Sequence, residues 1–185
     1  MRKLENNELS RLDLNAFKDA NKIPVYIILD SVRSHQNVGS VFRTADAFRI
    51  EKIFLCGITG IPPHRDIQKT ALGATESVDW EYHENIDDLI QELKKQKVFI
   101  ASIEQAENAC FLNEFTKKKK KKLALIFGNE VDGVAQSVVS ASNTVIEIPQ
   151  FGTKHSLNIS VSAGIVIWEI GKQYINIARK IALAQ

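Results

Sequence analysis

The strongest constraint in this chain is the order of its apolar segments. Val25 to Leu29 is a short, β-branched run. Asn37 to Phe48 carries Val41, Phe42, Ala45 and Phe48 at helical spacing, and Ile53 to Cys56 is apolar again. A run of about five apolar residues bounded by turn signals suits a strand, and spacing near 3.6 suits a helix, so the three segments form a βαβ unit. The same alternation continues. Ile86 to Leu93 reads as helix, Val98 to Ser102 and Leu123 to Phe127 as strands, Val134 to Ser140 as helix and Val145 to Ile148 as strand. Such alternation predicts an α/β fold with a mostly parallel sheet.

No internal repeat or linker divides the 185 residues, and 44% apolar with 25% charged content is that of a globular chain with a real core. The segment Leu157 to Ala182 carries Ile159, Val161, Ile165, Ile167, Trp168, Ile170, Tyr174, Ile177 and Ile181. That stripe is wider than one covered face, so the helix either packs on its own sheet or also meets a second subunit. The first twenty residues, with Leu4, Leu9, Leu12, Leu14 and Phe17, read as a small amphipathic helix, which makes residues 1–24 a helical extension before a main domain of 25–185.

A formal net charge of +2 is too small to attract a polyanion by overall field, so any such partner needs a local basic patch. The cations Arg2, Lys3, Arg11, Lys18, Lys22, Arg33, Arg65 and Lys69 gather in the first seventy residues, and Lys117 to Lys122 is a run of six lysines. The run reads either as a solvated loop or as a phosphate contact. Cys56 and Cys110 stand apart with neither disulfide-framework nor metal-site spacing, so both are expected as reduced thiols and no metal is expected. The amino terminus is too polar for a signal peptide and no apolar run approaches the ~20 residues of a membrane span, which places the chain in the cytoplasm.

Three polar segments sit at the predicted strand ends, where open α/β sheets bind ligands. In the first, Asn37 and Gly39 precede Arg43. Alone they are a helix cap, a turn and a surface cation, or else a guanidinium placed to reach a phosphate or a developing oxyanion. The second, Gly128-Asn129-Glu130-Val131-Asp132-Gly133, permits close backbone approach but is neither a Walker loop nor a dinucleotide fingerprint. The third, Ile148-Pro149 through Ser156-Leu157-Asn158, is either a long loop capped by Ser156 or a binding loop. Ser156 beside His155 lacks the nucleophile elbow of a hydrolase. Gly57 to Asp66, with Pro62, Pro63 and His64, reads as a surface loop, and Lys69 to Gly73 as the start of another turn.

In this order and spacing the segments resemble the SpoU-type (TrmH) RNA 2′-O-ribose methyltransferases of the SPOUT superfamily. The likeness covers most of Val25 to Ile170: Asn-x-Gly-x-x-x-Arg-Thr at Asn37 to Thr44, Gly-x-Glu-x-x-Gly at Gly128 to Gly133, and Ile-Pro ending in Ser-Leu-Asn at Ile148 to Asn158. The resemblance implies a parallel-sheet domain whose C-terminal loop threads a deep trefoil knot around S-adenosylmethionine, contrary to ordinary unknotted topology. It implies cofactor contacts near Ser102, Gly128, Ile148 and Leu157. Catalysis would fall to Arg43, supported by Asn37, Glu130, Ser156 and Asn158, and the working unit would be a homodimer. Gln150 after Pro149 departs from the apolar residue usual there.

The function implied is methyl transfer to a ribose 2′-hydroxyl of RNA. Transfer RNA is the leading substrate, because barely two dozen residues precede the first strand where many ribosomal-RNA members carry an extra RNA-binding domain. The alternatives are a ribosomal-RNA methyltransferase and a non-catalytic RNA-binding protein on the same fold.

Overall fold

The computed structural model describes residues 1–5, 8–9, 11–116 and 122–182, with side chains through Tyr174. Along the chain run α1 (Leu14–Asp19), β1 (Ile23–Asp30), α2 (His35–Ala47), β2 (Ile50–Cys56), α3 (Arg65–Ala71), α4 (Ala74–Ser77) and β3 (Asp79–His83). The second half holds α5 (Ile86–Lys95), β4 (Phe99–Ile103), β5 (Cys110–Phe111), β6 (Leu123–Phe127), α6 (Gln136–Ala141), β7 (Thr144–Glu147) and α7 (Ile159–Ala182).

The seven strands form one sheet in the order β3-β2-β1-β6-β4-β7-β5, and every named pair in it is parallel. Side chains alternate across a strand, so a central parallel strand must be apolar on both faces. β1 obeys this: Val25, Ile27 and Leu29 enter one core with α2 and α7, while Tyr26 and Ile28 enter the other with Leu89, Ile90 and Leu93 of α5. Helices therefore cover both faces of the sheet.

Local chemistry sets the ends of the helices. The Ser34 side chain accepts from the Asn37 amide at the start of α2. Asn85 does the same for Asp87 in α5, whose first turn holds Asp87 and Asp88 and whose last holds Lys94 and Lys95, matching the helix dipole. α7 starts two residues later than the apolar stripe suggested, because Asn158 rather than Ser156 binds its first turn: Asn158 Oδ1 accepts from the Ser160 amide at 2.9 Å.

Other expectations change more. The helix foreseen over the first twenty residues is confined to Leu14–Asp19, where Asp13 Oδ1 accepts from the Ala16 amide at 2.8 Å and starts the turn. Only Phe17 of its apolar residues is buried. Arg65 begins α3, capped by His64, so Lys69 to Ala71 is helix rather than turn. β3 gave no apolar signal because it is an edge strand whose residues are exposed or half-buried. Of the lysine run, 117–121 lie outside the described residues. Lys122 is not a free phosphate contact, since its Nζ donates to Tyr26 Oη at 2.7 Å and to Glu51. Cys56 is buried and Cys110 half-buried, and both are free thiols; burial pushes the Cys56 thiol up to about 12. No helix among the described residues is long and apolar enough to cross a membrane.

Candidate active site

Parallel pairing sends the carboxyl ends of β1, β6, β4 and β7 to one edge of the sheet, and the three polar segments leave or approach the sheet there. A single hydrogen-bond chain joins them. Glu130, in the loop after β6, reaches the segment before α2: its carboxylate accepts from the Arg33 amide at 3.1 Å, the Ser34 amide at 3.3 Å and Asn37 Nδ2 at 3.1 Å. Asn37 Oδ1 in turn accepts from Asn158 Nδ2 at 3.2 Å, at the entry to α7. Residues 93 and 121 positions apart in sequence are thus tied to Asn37. Partial burial would raise the Glu130 carboxyl, but the bonds it accepts from Arg33, Asn37 and Ser34 outweigh that and hold it below the ordinary carboxylate value.

Beside this chain lies a cleft of about 500 Å³, within the usual range for small-molecule sites. Ile103, Phe127, Ile148 and Leu157 give it apolar walls, and Glu130, Ser156 and Asn158 bring polar groups to it. Its floor needs Gly128: a Cβ there would collide with the carbonyl of Gly133, with which the loop closes on itself. Gly133 has φ of +67° and faces the Glu104 carboxylate, so it too has to be glycine. Gly39 serves packing instead, lying inside α2 where a Cβ would strike Thr70 and the Ile67 carbonyl of α3.

Two residues the sequence did not single out brace the cleft. Glu104 follows β4 and accepts from the Val134 amide at 2.9 Å with one oxygen and from the Gln105 amide at 2.9 Å with the other. Gln105 Nε2 donates to the His155 carbonyl at 2.6 Å. The pair therefore fixes both the 128–134 loop and the 148–158 loop. A sequence signal existed only in hindsight: polar residues at the end of a strand that is otherwise apolar.

Gly128, Glu130, Ile148, Ser156, Leu157 and Asn158 all line the cleft, and Asn37 is hydrogen-bonded to two of them. Ser102 is fully buried one residue short of it, its hydroxyl 2.8 Å from that of Ser142, and the lining is taken up by Ile103, Glu104 and Gln105. Arg43 lies elsewhere. Six residues beyond Asn37 on α2 it points to a different side of the helix, exposed, in a second cleft of about 780 Å³ that it shares with Arg11, Arg49, Asp46 and Leu72. Glu130 consequently orients loop amides and Asn37 rather than Arg43.

The family model described as the SpoU rRNA Methylase family matches residues 24–168. This chain belongs to that family. Among relatives, an uncharacterized tRNA/rRNA methyltransferase of Borreliella burgdorferi is 33% identical over 150 residues, covering 80% of this chain and 63% of that protein. The 23S rRNA (guanosine-2′-O-)-methyltransferase RlmB of Neisseria meningitidis is 28% identical over 163 residues, covering 86% of this chain and 62% of its own. The solved structure of an AdoMet-bound rRNA methyltransferase from Sinorhizobium meliloti superimposes with a TM-score of 0.76 at 25% identity, over 85% of this chain and 60% of that one. The chain thus spans less than two thirds of the length of these SpoU relatives.

Proposed function

We propose that this SpoU-family chain transfers a methyl group from S-adenosylmethionine to a ribose 2′-hydroxyl of RNA. The observation that carries the reading is the hydrogen-bond chain Glu130–Asn37–Asn158, which draws the three family segments together beside one cleft. The cleft suits the methyl donor: apolar walls for an adenine face, backbone-lined loops for its polar edge, and a glycine at 128 where any side chain would break the loop. Bound there, the sulfonium supplies an activated methyl group and a good leaving group. In this reading the backbones of Gly128, Ile148 and Leu157 and the segment just after Ser102 hold the donor. Ser156 and Asn158 present short hydrogen-bonding groups to the ribose, and Asn37 and Glu130 keep them in register.

The protein's remaining task is to stabilise negative charge on the 2′-oxygen as its proton leaves. A guanidinium suits that task because it stays protonated and cannot act as an ordinary base, and Arg43 is the proposed group. Its place in the second cleft fits a homodimer in which one copy brings Arg43 toward the first cleft of the other. Support for self-association comes from Val161, Ile165 and Trp168, an exposed apolar stripe on α7 with 49%, 38% and 51% of their surface open. Trp168 lies edge-on to Phe48 at the end of α2, 5.8 Å between centroids, so the stripe borders the helix that carries Arg43.

The same reading makes residues 25–185 the methyltransferase domain, with a trefoil knot formed where the 148–158 loop passes the 128–133 loop, and residues 1–24 its extension. It puts the enzyme in the cytoplasm with its RNA. Transfer RNA and ribosomal RNA are the two candidate substrates; the name of the Neisseria relative favours the second as an explicit alternative to the first. Tritiated-methyl transfer to both RNA pools tests the reading. Wild type is expected to label one pool, and Arg43→Ala is expected to bind S-adenosylmethionine normally while losing transfer. An Arg43→Ala protein with the parent rate would remove the catalytic assignment.

A further inference from the structure

We propose that residues 57–65, with the first turn of α2, form a preformed platform that takes unpaired nucleotides of the RNA next to the methylation cleft; this rests on the RNA-directed reading above. The segment is a loop by composition, yet it is anchored at every few residues. Thr59 is 4% exposed, and its hydroxyl donates to the Leu29 carbonyl at 3.0 Å and accepts from the Val32 amide at 3.0 Å. Tyr82 Oη donates to the Gly57 carbonyl at 3.0 Å. Gly60 sits so close to His35 that a Cβ would collide with the imidazole. The His35 and His64 rings are stacked, 3.8 Å between centroids and 12° between planes, and His64 Nδ1 accepts from the Asp66 amide at 3.2 Å.

A loop held this firmly nonetheless turns apolar surface outward. Ile58 is 68% exposed, Ile61 46% and Tyr82 46%. Arg33 and Arg65 are exposed on the segments that flank it, and their guanidinium groups have no hydrogen-bond or ion-pair partner among the described residues. Exposed apolar side chains and the Tyr82 ring beside unpaired guanidinium groups match the chemistry of single-stranded RNA, whose bases pack on apolar and aromatic surface and whose phosphates take bidentate arginine. A rigid surface pays little ordering cost when it binds. The platform is also continuous with the site, because the Arg33 and Ser34 amides are bonded by Glu130. A nucleotide lying on it would leave its neighbour at the Asn37–Asn158 chain.

The test uses the full-length protein and fluorescein-labelled total transfer RNA and total ribosomal RNA from cells lacking it. Arg65→Glu and the double variant Ile58→Ser/Ile61→Ser are compared with wild type and with Lys95→Glu at the last residue of α5, about three turns from the end that follows β3. Each platform variant is expected to weaken RNA binding about 10-fold, of the order of one lost apolar base contact or phosphate contact, with S-adenosylmethionine affinity unchanged, while Lys95→Glu stays at wild type. Photocrosslinked nucleotides are expected on the peptide 57–65. Platform variants that bind within two-fold of wild type, crosslinks elsewhere, or variants that turn a dimer into a monomer would overturn the inference, the last by making this face a contact between copies. A wild type that methylates RNA while the variants are unchanged defeats only the platform. A wild type that neither binds nor methylates RNA defeats the functional reading with it.

Discussion

Glu130→Gln isolates the group that ties the site together. The carboxylate accepts three bonds, two from the backbone amides of Arg33 and Ser34 and one from Asn37. Glutamine keeps the shape but replaces one oxygen with an amide that must face a donor, and the bonds left become neutral. Charge-assisted bonds contribute about 1.5–3 kcal/mol and neutral ones about 1, and solvent exposure at this position screens part of the difference. The net loss is about 1–2 kcal/mol, which for a chain of this size lowers Tm by about 2–8 °C.

The sign of the pH dependence follows from the lowered carboxyl. The folded value lies below the unfolded one, so the stabilisation is complete above the ordinary carboxylate range and is lost as pH falls through the folded value. Thermal melts followed by circular dichroism should show wild type above the variant at neutral pH and the gap closing in acid. S-adenosylmethionine affinity should fall with it, as the loop lining the cleft loosens. Melts of the two proteins that coincide at neutral pH, or a gap that widens in acid, would refute the role given to Glu130.

Gly128→Ala should cost more than 2 kcal/mol, because the collision is with backbone and not with a movable side chain; unchanged chemical denaturation would contradict the loop geometry. Gln105→Ala removes the bond to His155 and should raise the S-adenosylmethionine dissociation constant about 5-fold, of the order of one hydrogen bond, and lower Tm by about 2–4 °C, both read by calorimetry; an unchanged dissociation constant would remove the bracing role. Trp168→Glu puts a charge on the exposed α7 stripe and should shift the mass measured by light scattering from dimer to monomer; an unaltered mass would move the interface elsewhere.

The central fold was legible because central parallel strands carry their signal in unbroken apolar runs. Leu123–Phe127 was located to the residue, and Val25 to Leu29 and Ile86 to Leu93 fell inside the observed elements. The edge strand Asp79–His83 was not, since half-exposed residues such as Glu81 and Tyr82 leave no apolar run to read. Helix starts depended on single side chains: Asp13 cut short the N-terminal helix and Asn158 displaced Ser156 as the cap of α7.

For the site, three motifs in register named Glu130, Asn37 and Asn158, but motif spacing cannot say which atoms meet. The Glu130 carboxylate, named by the motif as a support for Arg43, binds the Arg33 and Ser34 amides and the Asn37 side chain. Arg43 lies on a different side of α2 from Asn37, as a six-residue separation on one helix requires, and the resemblance of motifs carries no such geometry. Glu104 and Gln105 escaped notice because their partners, the Val134 amide and the His155 carbonyl, are backbone groups with no identity in the sequence.

The most direct measurement is the site of methylation itself. RNA from cells lacking the protein, incubated with the full chain and S-adenosylmethionine, is digested to nucleosides and analysed by mass spectrometry. The expected result is one additional ribose-methylated nucleoside, absent with Arg43→Ala, at a position where the undigested RNA becomes resistant to alkaline cleavage on the 3′ side. Methyl groups found only on bases, or none in either RNA pool despite bound S-adenosylmethionine, would contradict 2′-O transfer by the Asn37–Glu130–Asn158 site.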